Sequence, residues 1–570
     1  MLTREGIFAS VSPRCAARAR RWKVVMYGLP IAVLAVGFVL DWGVPGLYMD
    51  AINPEYLAHW ILNGSGSARW VLPGNALFDR FPVFTGSVYH GSTQLYYALP
   101  FFLIFGIDLA AFRFVQFSIG AVIIALLVRF VSSGVRGRAG LVAGGLAGLL
   151  VALDPGFVLA MRTQAYSCIF PVSLIVGALV VLRLDVRPPP SVRRIVVAGA
   201  LVGLAGFSYF IMFLFVPAIV LLIWWSYDAR GRMARLRDIV WFGLGGVVGY
   251  VPFFAGVTLI GIELGGVGEA VEYLRNMSDE LQVGAHDGGL VARVMSTYRS
   301  LKWSINGGWV SRMTVRSAET TAGTLRFMVG VGLLVVGTCA ASLLDRRDGA
   351  RRLLYAMIGL IASFVLGAIA FGDRLQGHHF SVVVPFWGAA LATSCAVLGR
   401  VVRQRAMRAG DLVSGALSKA GRGALVTVGV TAGAIALSSV VAQTHLRRDL
   451  RDTGGVGLYS DAITALGVRL DDGGSEVSVL TPDWGYLMPL EFLGGDHATV
   501  HDARGDISAA VRGHACGVGA VLVVSAFPSS LDYLEIARQS RTTVIEGERW
   551  YEENGRPAFE VVRFSDPQGC

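Results

Sequence analysis

Eleven apolar stretches, most of them long enough to cross a bilayer, are joined so that the arginine-rich connections fall on alternate sides. This pattern predicts a multi-pass α-helical membrane protein with about eleven transmembrane helices. The predicted spans are 24–41, 112–131, 139–153, 166–183, 193–208, 209–226, 238–258, 324–344, 352–371, 380–400 and 423–441. The composition agrees, because 54% of the residues are hydrophobic and only 16% are charged, values that one water-soluble core does not explain.

The positions of the arginines predict the orientation of the chain. A cytoplasmic N-terminus places the basic segments together on the cytoplasmic side, as the positive-inside rule requires. These segments are 18–23, 136–138, 183–194, 230–237, 346–352 and 400–408. We therefore predict a protein of the cytoplasmic (inner) membrane, with its C-terminal region outside. The net charge of +10 is explained by helix ends beside anionic headgroups, so we expect the lipid bilayer and no nucleic acid as a partner.

Two regions follow from this topology. Residues 1–441 are predicted to form the polytopic transmembrane region, in which loops 42–111 and 259–323 reach outward. Residues 442–570 are predicted to form a small extracytoplasmic α/β domain. Within this domain, strands are predicted at 477–480, 520–524 and 559–564, and helices at 460–466 and 531–539. Cys516 and Cys570 lie in this exported part, where a disulfide between them is one possibility.

A glycine-rich segment, 454–457, connects the two regions. It follows a membrane helix and not a strand, which favours a flexible linker over a dinucleotide-binding loop.

The first outward loop carries the acidic residues of greatest interest. Its segment 48–62 has an amphipathic helical pattern whose apolar members are expected at the membrane interface. Asp50 opens this pattern, and from the pattern alone a helix cap and a catalytic base are equally supported. Asp154 stands before a proline in the second outward turn, where turn formation is the simpler interpretation.

Several of these residues also resemble a known family. Asp50 after the first span, the stretch 89–106 that begins Tyr-His-Gly and ends Leu-Ile-Phe-Gly, and Arg113 are similar to the start of polyprenyl-phosphate-sugar glycosyltransferases. The segment 377–380, Gly-His-His-Phe, leading to Pro385, is similar to the Arg-Tyr-x-x-x-x-Pro pattern of that family. The chain thus resembles the GT-C superfamily, which includes protein O-mannosyltransferases and lipid A aminoarabinose transferases.

The resemblance implies roles for individual residues. Asp50 takes the position of the catalytic base, but Ala51 replaces the second acid of the protein mannosyltransferases, which leaves Glu55 as a secondary candidate. Asp50 and Asp154 are candidate ligands of a divalent cation, Mg²⁺ or Mn²⁺. The candidates for binding the donor phosphate are Arg162, Arg374, His378 and His379.

Three further polar residues are secondary candidates for the acceptor side. Tyr89 and His90 lie in the first loop, and Lys302 is an unusual lysine in an arginine-rich chain. For each of them, surface packing or a solvated ion pair is the simpler interpretation.

The chemistry expected of such a chain can also be stated from first principles. A sugar on a lipid phosphate keeps its leaving group at the membrane surface, so transfer needs a carboxylate to take the acceptor proton and cations to hold the phosphate. We therefore expect a membrane glycosyltransferase that moves a sugar, with inversion, from a polyprenyl-phosphate donor to a glycan, lipid or protein acceptor outside the cytoplasm. A lipid-linked sugar flippase or transporter and a non-catalytic membrane scaffold are the alternatives.

Overall fold

Helices dominate the N-terminal three quarters of the chain. In this computed structural model the described residues are 13–565 except 65–73, 75, 79, 86, 184–189, 227–230, 281–288, 318–320, 409–413, 474–476, 484 and 519. The helices of this part are α1 (Pro13–Val39), α2 (Met49–Ile52), α3 (Ala58–Leu62), α4 (Thr93–Phe105), α5 (Leu109–Val135), α6 (Gly137–Ala152), α7 (Pro155–Val158), α8 (Ala165–Ile169), α9 (Val172–Leu182), α10 (Val192–Ser208), α11 (Val216–Ser226), α12 (Arg232–Gly249), α13 (Val251–Leu264), α14 (Val267–Glu280), α15 (Leu290–Asn306), α16 (Gly308–Val315), α17 (Thr321–Ser342), α18 (Gly349–Phe371), α19 (Val384–Arg408) and α20 (Ser414–Thr453).

Short elements connect these helices. The first outward loop contains two hairpins, formed by β1 (Ala76–Leu77) with β2 (Phe81–Pro82) and by β3 (Phe84–Thr85) with β4 (Ser87–Gly91). The 3₁₀ turns are Glu55–Leu57, Ala160–Arg162, Phe210–Phe215, Gly372–Arg374, Gly377–Val383, Gly457–Tyr459 and Gly495–His497. Several of them interrupt membrane helices and carry polar residues.

The predicted fold class, a multi-pass helical membrane protein, is confirmed. Within the described residues, seven helical segments are long and apolar enough to span a membrane, and two further pairs, bent by 63° and 43°, raise the number to nine if each is one span. The seven are Arg20–Val39, Leu109–Val135, Ala165–Leu182, Ala322–Ser342, Gly349–Phe371, Gly377–Arg405 and Val426–Thr453. The remaining two predicted spans, 193–208 and 209–226, are also helical but shorter than the roughly 20 residues of a full crossing.

Glycines allow two of the shorter helices to pack closely. A Cβ atom added at Gly199 of α10 would lie 2.0 Å from the carbonyl oxygen of Phe242 in α12, and one at Gly203 would lie 2.0 Å from that of Gly246. Any larger residue would therefore push the two backbones apart. Small residues at such crossings are a common means of helix association in membranes. This contact fixes α10, which ends beside the candidate site.

A mixed sheet forms the C-terminal region. Its strands are β5 (Val477–Thr481), β6 (Ala498–Asp502), β7 (Ala520–Ala526), β8 (Thr543–Tyr551) and β9 (Pro557–Ser565), in the order β6-β5-β7-β9-β8. β5 is parallel to β6 and β7, whereas β9 is antiparallel to β7 and β8. The helices are α21 (Ala462–Asp472), α22 (Leu487–Leu493), α23 (Ile507–Val518) and α24 (Tyr533–Ser540). The three predicted strands and both predicted helices are present, and β6 and β8 are additional.

The C-terminal region is docked onto the first outward loop. The ring of Phe492 in α22 contacts Phe102 and Phe112, with centroids 5.7 and 5.9 Å apart, and His59 Nε2 lies 3.1 Å from the carbonyl oxygen of Phe492. The loop segment 48–62 is therefore buried inside the protein, with Tyr56, Leu57 and Ile61 almost inaccessible. The expectation that these three residues lie at the membrane interface is wrong, because all three are buried inside the protein and α22 packs against the turn Glu55–Leu57.

The glycine-rich segment 454–457 is a packed turn and not the flexible linker that was predicted. Gly454, Gly455 and Gly457 have positive φ angles, and the Val456 N–H donates to the carbonyl oxygen of Thr314 at 2.9 Å. The Gly457 N–H donates to Glu552 Oε1 at 2.9 Å. Glycine accommodates such left-handed backbone without steric cost. The turn follows α20, which continues to Thr453, and it directs Tyr459 toward the first outward loop.

The proposed disulfide cannot be placed. The side chain of Cys516 and all of Cys570 lie outside the described residues.

Candidate active site

Asp50 lies in α2, directly after the extended segment that leaves the first membrane helix. Burial raises the pKa of its carboxyl from 3.8 to about 6, and a hydrogen bond with Tyr48 offsets part of this increase. An aspartate with such a pKa is ionised at neutral pH but binds a proton far more readily than a solvated carboxylate. Asp50 thus has the protonation behaviour that a general base requires.

Tyr459 comes from the other end of the chain and contacts the same place. Its ring stacks on Tyr48 with centroids 4.8 Å apart and an interplanar angle of 30°. Its hydroxyl donates a hydrogen bond to Gln164 Oε1 at 3.1 Å. Burial, then the neighbouring Tyr48 and Asp50, raise the pKa of Tyr459 well above its usual value, so this hydroxyl stays protonated and remains a donor.

Gln164 also contacts His378, the first of two adjacent histidines. Its Nε2 lies 2.8 Å from His378 Nδ1. An amide nitrogen carries only donors, so Nε2 donates to His378 Nδ1. A neutral His378 therefore carries its proton on Nε2.

His379 adopts the same tautomer for a different reason. The backbone N–H of Gln376 donates to His379 Nδ1 at 2.9 Å, at the start of the 3₁₀ turn Gly377–Val383. Accepting this bond leaves the proton of a neutral imidazole on Nε2. Both histidines thus present an N–H group that suits a phosphate oxygen.

His90 lies against the second histidine through an intervening tyrosine. The rings of His90 and Tyr209 stack with centroids 4.3 Å apart and an angle of 15°, and Tyr209 and His379 are 5.9 Å apart at 14°. The rings of His378 and His379 are 3.9 Å apart. Burial, and secondarily the proximity of His379, lower the pKa of His90 to about 3. His90 is therefore neutral at physiological pH.

These contacts define what we call the polar cluster. It draws on the first outward loop, the ends of α8 and α10, the turn before α19 and the turn after α20. Its members are Tyr48, Asp50, His90, Gln164, Tyr209, His378, His379 and Tyr459. Asp50, His90, His378 and His379, four residues singled out from the sequence, are thus brought together.

Two basic candidates lie on elements next to the polar cluster. Arg374 is exposed, in the 3₁₀ turn Gly372–Arg374 that precedes His378. Lys302 lies in α15, which packs against the turn Gly377–Val383, with Ser304 Oγ donating to the carbonyl oxygen of Gly377. Tyr89 lies in β4 next to His90, and its side chain is outside the described part of the chain.

Glu55 is buried in a different environment. Its Oε2 accepts from Gln94 Nε2 at 3.2 Å, and Tyr166 is also within hydrogen-bonding reach. Burial raises the pKa of Glu55 to about 8, so the residue is mostly protonated at neutral pH. Glu55 does not supply the second carboxylate that was expected one turn after Asp50.

Arg162 has a structural role and not the predicted phosphate-binding role. Its guanidinium donates to the carbonyl oxygens of Gly37, Phe38, Leu40 and Asp41 and to that of Val44, at distances up to 3.2 Å. Helix C-termini leave such carbonyls without intrahelical partners, and a buried cation there also suits the helix dipole. Both terminal nitrogens of Arg162 are thus engaged by the end of α1.

Asp154 is likewise engaged within the fold. It is the N-cap of α7, where its Oδ1 accepts from the Gly156 N–H at 2.8 Å, and Arg326 lies within electrostatic range. Among the described residues, no three His, Cys, Asp or Glu side chains are grouped so that they could hold a metal ion. The donor set does not fit the predicted pairing of Asp50 and Asp154 around a divalent cation.

Solved structures resemble the chain along almost its whole length. ArnT from Cupriavidus metallidurans bound to undecaprenyl phosphate aligns with a TM-score of 0.59 and 15% identity, covering 96% of this chain and 98% of the ArnT chain. ArnT is a lipid A aminoarabinose transferase. The chain has the GT-C fold. ArnT in the apo state aligns at 0.55, with the same identity and coverage.

A second GT-C protein supports the same conclusion. The Archaeoglobus fulgidus oligosaccharyltransferase, solved in complex with zinc and sulfate, aligns with a TM-score of 0.51 and 14% identity, covering 88% of this chain and 68% of that one. No protein-family model and no curated protein matches the chain. The GT-C resemblance predicted from the sequence is confirmed as a fold, and a fold alone does not determine function.

Within this GT-C fold, the sequence did not reveal the aromatic members of the polar cluster. No local motif in the sequence distinguishes Tyr48, Tyr209 and Tyr459 from other tyrosines, and only the fold brings them together. One local signal existed for Tyr209, since it separates two apolar helical segments at a break where its backbone is extended. Tyr459 had no comparable signal, because its contact with Gln164 spans 295 positions of the chain.

Proposed function

We propose that the protein is a glycosyltransferase that moves a sugar from a polyprenyl-phosphate donor to a hydroxyl group of a glycan, lipid or protein acceptor. The observation that carries this proposal is the polar cluster, in which a buried carboxylate with a pKa of about 6 shares a site with two imidazole N–H donors. The full-length alignment with ArnT bound to undecaprenyl phosphate adds support for the donor class.

Asp50 acts as the general base in this proposal. It takes the proton of the acceptor hydroxyl while that oxygen attacks the anomeric carbon from the face opposite the phosphate. The new carbon–oxygen bond forms as the bond from the anomeric carbon to the phosphate oxygen breaks, and the polyprenyl phosphate leaves with the electron pair. One such displacement inverts the anomeric configuration, and the proton ends on Asp50.

The leaving phosphate is assigned to the other side of the polar cluster. The Nε2–H groups of His378 and His379 donate to its oxygens, and Arg374 and Lys302 supply positive charge from neighbouring elements. Preorganised donors of this kind stabilise the charge that develops on a leaving group. His90, neutral and stacked on Tyr209, keeps the rings of this side in place.

We place this chemistry at the outer face of the cytoplasmic membrane. The arginine-rich connections support that orientation through the positive-inside rule. We assign residues 1–441 to the transferase region and residues 442–570 to an outer domain, and Tyr459 makes that outer domain part of the site.

The proposal is tested with the full-length protein in liposomes that contain a polyprenyl-phosphate sugar labelled in the sugar. We expect the label to leave the lipid and appear on an acceptor while polyprenyl phosphate accumulates in equal amount. Matched liposomes without protein are the control. Movement of intact labelled lipid between leaflets without turnover would identify a flippase, and the absence of both events would leave a scaffold; either result refutes the proposal.

The pKa of Asp50 predicts the acidic limb of the pH profile. Because the base must be deprotonated, kcat/KM should fall as the pH falls through about 6. With an ordinary aspartate the fall would begin about two units lower. The variant Asp461→Asn is a matched control, because burial and secondarily Glu553 raise the pKa of Asp461 to about 6 as well. In this variant kcat/KM should still fall as the pH falls through about 6. If that fall is lost in Asp461→Asn, the assignment of the pKa to Asp50 is contradicted.

A further inference from the structure

A basic cavity of about 660 Å³ lies between α5, α9 and α10, which we call the arginine cleft. Three valines contribute its apolar wall. Its polar lining consists of Arg129, Ser133, Arg183, Ser191, Arg193 and Arg194. Four of the described residues that line it are arginines and none of them is acidic.

The arginine cleft lies at the opposite helix ends from the polar cluster. Gln164 directly precedes α8 and α9, whereas Arg183 directly follows them. In the same way, Tyr209 follows the end of α10, whereas Arg193 and Arg194 lie in its first turn. The segment Ala165–Leu182 has 18 residues, or about 27 Å at 1.5 Å per residue. This length is close to the roughly 30 Å of a hydrocarbon core, so the cleft faces the other leaflet.

The arginine side chains are available for a ligand. Within the described part of the chain, none of the four guanidinium groups has a salt-bridge or hydrogen-bond partner, and all four residues are exposed. Arginines elsewhere on the same predicted face differ, since Arg400 is paired with Asp348 at 2.7 Å. Four unpaired guanidinium groups around one cavity favour an anion with several oxygen atoms.

The start of α10 adds donors to the same cavity. Ser191 is the N-cap of this 17-residue helix, but its side chain makes no capping hydrogen bond. The first backbone N–H groups of a helix have no intrahelical partner and carry the positive end of the helix dipole. Phosphate groups bind at helix N-termini for this reason, and here the N-terminus opens beside two arginines.

We propose that the arginine cleft binds the phosphate headgroup of an anionic phospholipid in the leaflet opposite the polar cluster. The valine wall supports a lipid over a free anion, because it offers apolar surface where the acyl chains leave the headgroup. Basic cavities between membrane helices are known to hold anionic headgroups in this way. This inference does not depend on the proposed function, since it concerns a separate site.

The test uses the full chain in a neutral detergent and measures bound lipid by native mass spectrometry. The probes are phosphatidylglycerol and, as the neutral lipid, phosphatidylcholine with the same acyl chains. We expect the double variant Arg193→Gln/Arg194→Gln to weaken phosphatidylglycerol binding about 30-fold, from two lost arginine contacts. Binding of phosphatidylcholine should not change.

A charge-matched control separates the cleft from general surface charge. The variant Arg138→Gln/Arg346→Gln removes two exposed arginines of the same predicted membrane face that do not line the cleft. It should bind phosphatidylglycerol like the unaltered protein. An equal loss in both double variants, or no loss in either, overturns the proposal.

A second variant and a competition experiment test the same site. If Arg193→Gln/Arg194→Gln does not fold, Arg129→Gln on α5 replaces it, with an expected loss of about fivefold. Inorganic phosphate is added as a competitor to distinguish the two sources of a phosphate group. Displacement of the lipid by an equal concentration of inorganic phosphate would identify a free-anion site and overturn the lipid assignment.

Discussion

Replacing Asp50 with asparagine is expected to lower the rate of sugar transfer by about 10²- to 10⁴-fold, the usual contribution of a positioned general base. Asparagine keeps the shape of the side chain but cannot take the acceptor proton. The donor should still bind, because the groups assigned to its phosphate are on the other side of the polar cluster. Single-turnover measurement of labelled sugar transfer, with donor binding measured separately, checks both parts of this expectation.

Glu55→Gln provides the matched control for Asp50→Asn. Glu55 is an acid of the same loop, and its pKa of about 8 means that it is mostly protonated at neutral pH. The amide of glutamine resembles that neutral carboxyl in size and in hydrogen bonding, so transfer should remain close to that of the unaltered protein. Full activity of Asp50→Asn would remove Asp50 from the mechanism, and a large loss only in Glu55→Gln would move the base to Glu55.

Replacing Arg162 with methionine is expected to destabilise the protein by about 3–5 kcal/mol, because a buried acceptor that loses its donor costs about 1–3 kcal/mol and several do so here. Methionine fills a similar volume but leaves the carbonyl oxygens at the end of α1 without donors. Thermal unfolding in detergent measures this loss. The variant Arg162→Lys should be intermediate, because an ammonium group has three donors and no planar fork.

Arg374→Met is the control for Arg162→Met. Arg374 is exposed on its turn, so its loss should leave the unfolding temperature unchanged while raising KM for the donor. The two arginines were predicted to share one role, and the experiment separates them. If Arg162→Met has normal stability and a raised KM for the donor, Arg162 binds the donor phosphate after all.

The two arginines illustrate what sequence can and cannot predict here. An arginine at an outward turn has the same appearance in the sequence whether its donors meet a phosphate or backbone carbonyls. The role of Arg162 is decided by residues 37–44, at the end of α1 and just after it, which lie 118 to 125 positions away and supply five carbonyl oxygens. Local pattern contains no information about that distant contact.

The fold was predictable to the extent that it depends on periodicity. Long apolar runs and arginine-rich connections located the membrane helices, because bilayer thickness imposes their length. The strands β5, β7 and β9 contain short apolar runs that mark them. β8 was missed because it is an edge strand, Thr-Val-Ile-Glu-Gly-Glu-Arg-Trp-Tyr, in which three of nine residues are charged and six are exposed.

A site residue could be predicted from the sequence when its residue type and its position in the topology were enough to indicate its role. Asp50 and the histidine pair His378 and His379 met that condition through the family resemblance. Tyr459 did not, because its place in the polar cluster depends on the packed turn of Gly454–Gly457, whose left-handed glycines the sequence also allows in a free linker.

That packed turn has a consequence for biosynthesis. Tyr459 is translated after every predicted membrane segment, and it reaches Gln164 only when the region beyond α20 has folded. A nascent chain whose last part is still held by the ribosome therefore has all its predicted membrane segments but an incomplete polar cluster. Under the proposed function, a newly made chain begins to consume a polyprenyl-phosphate donor only once its last part has folded.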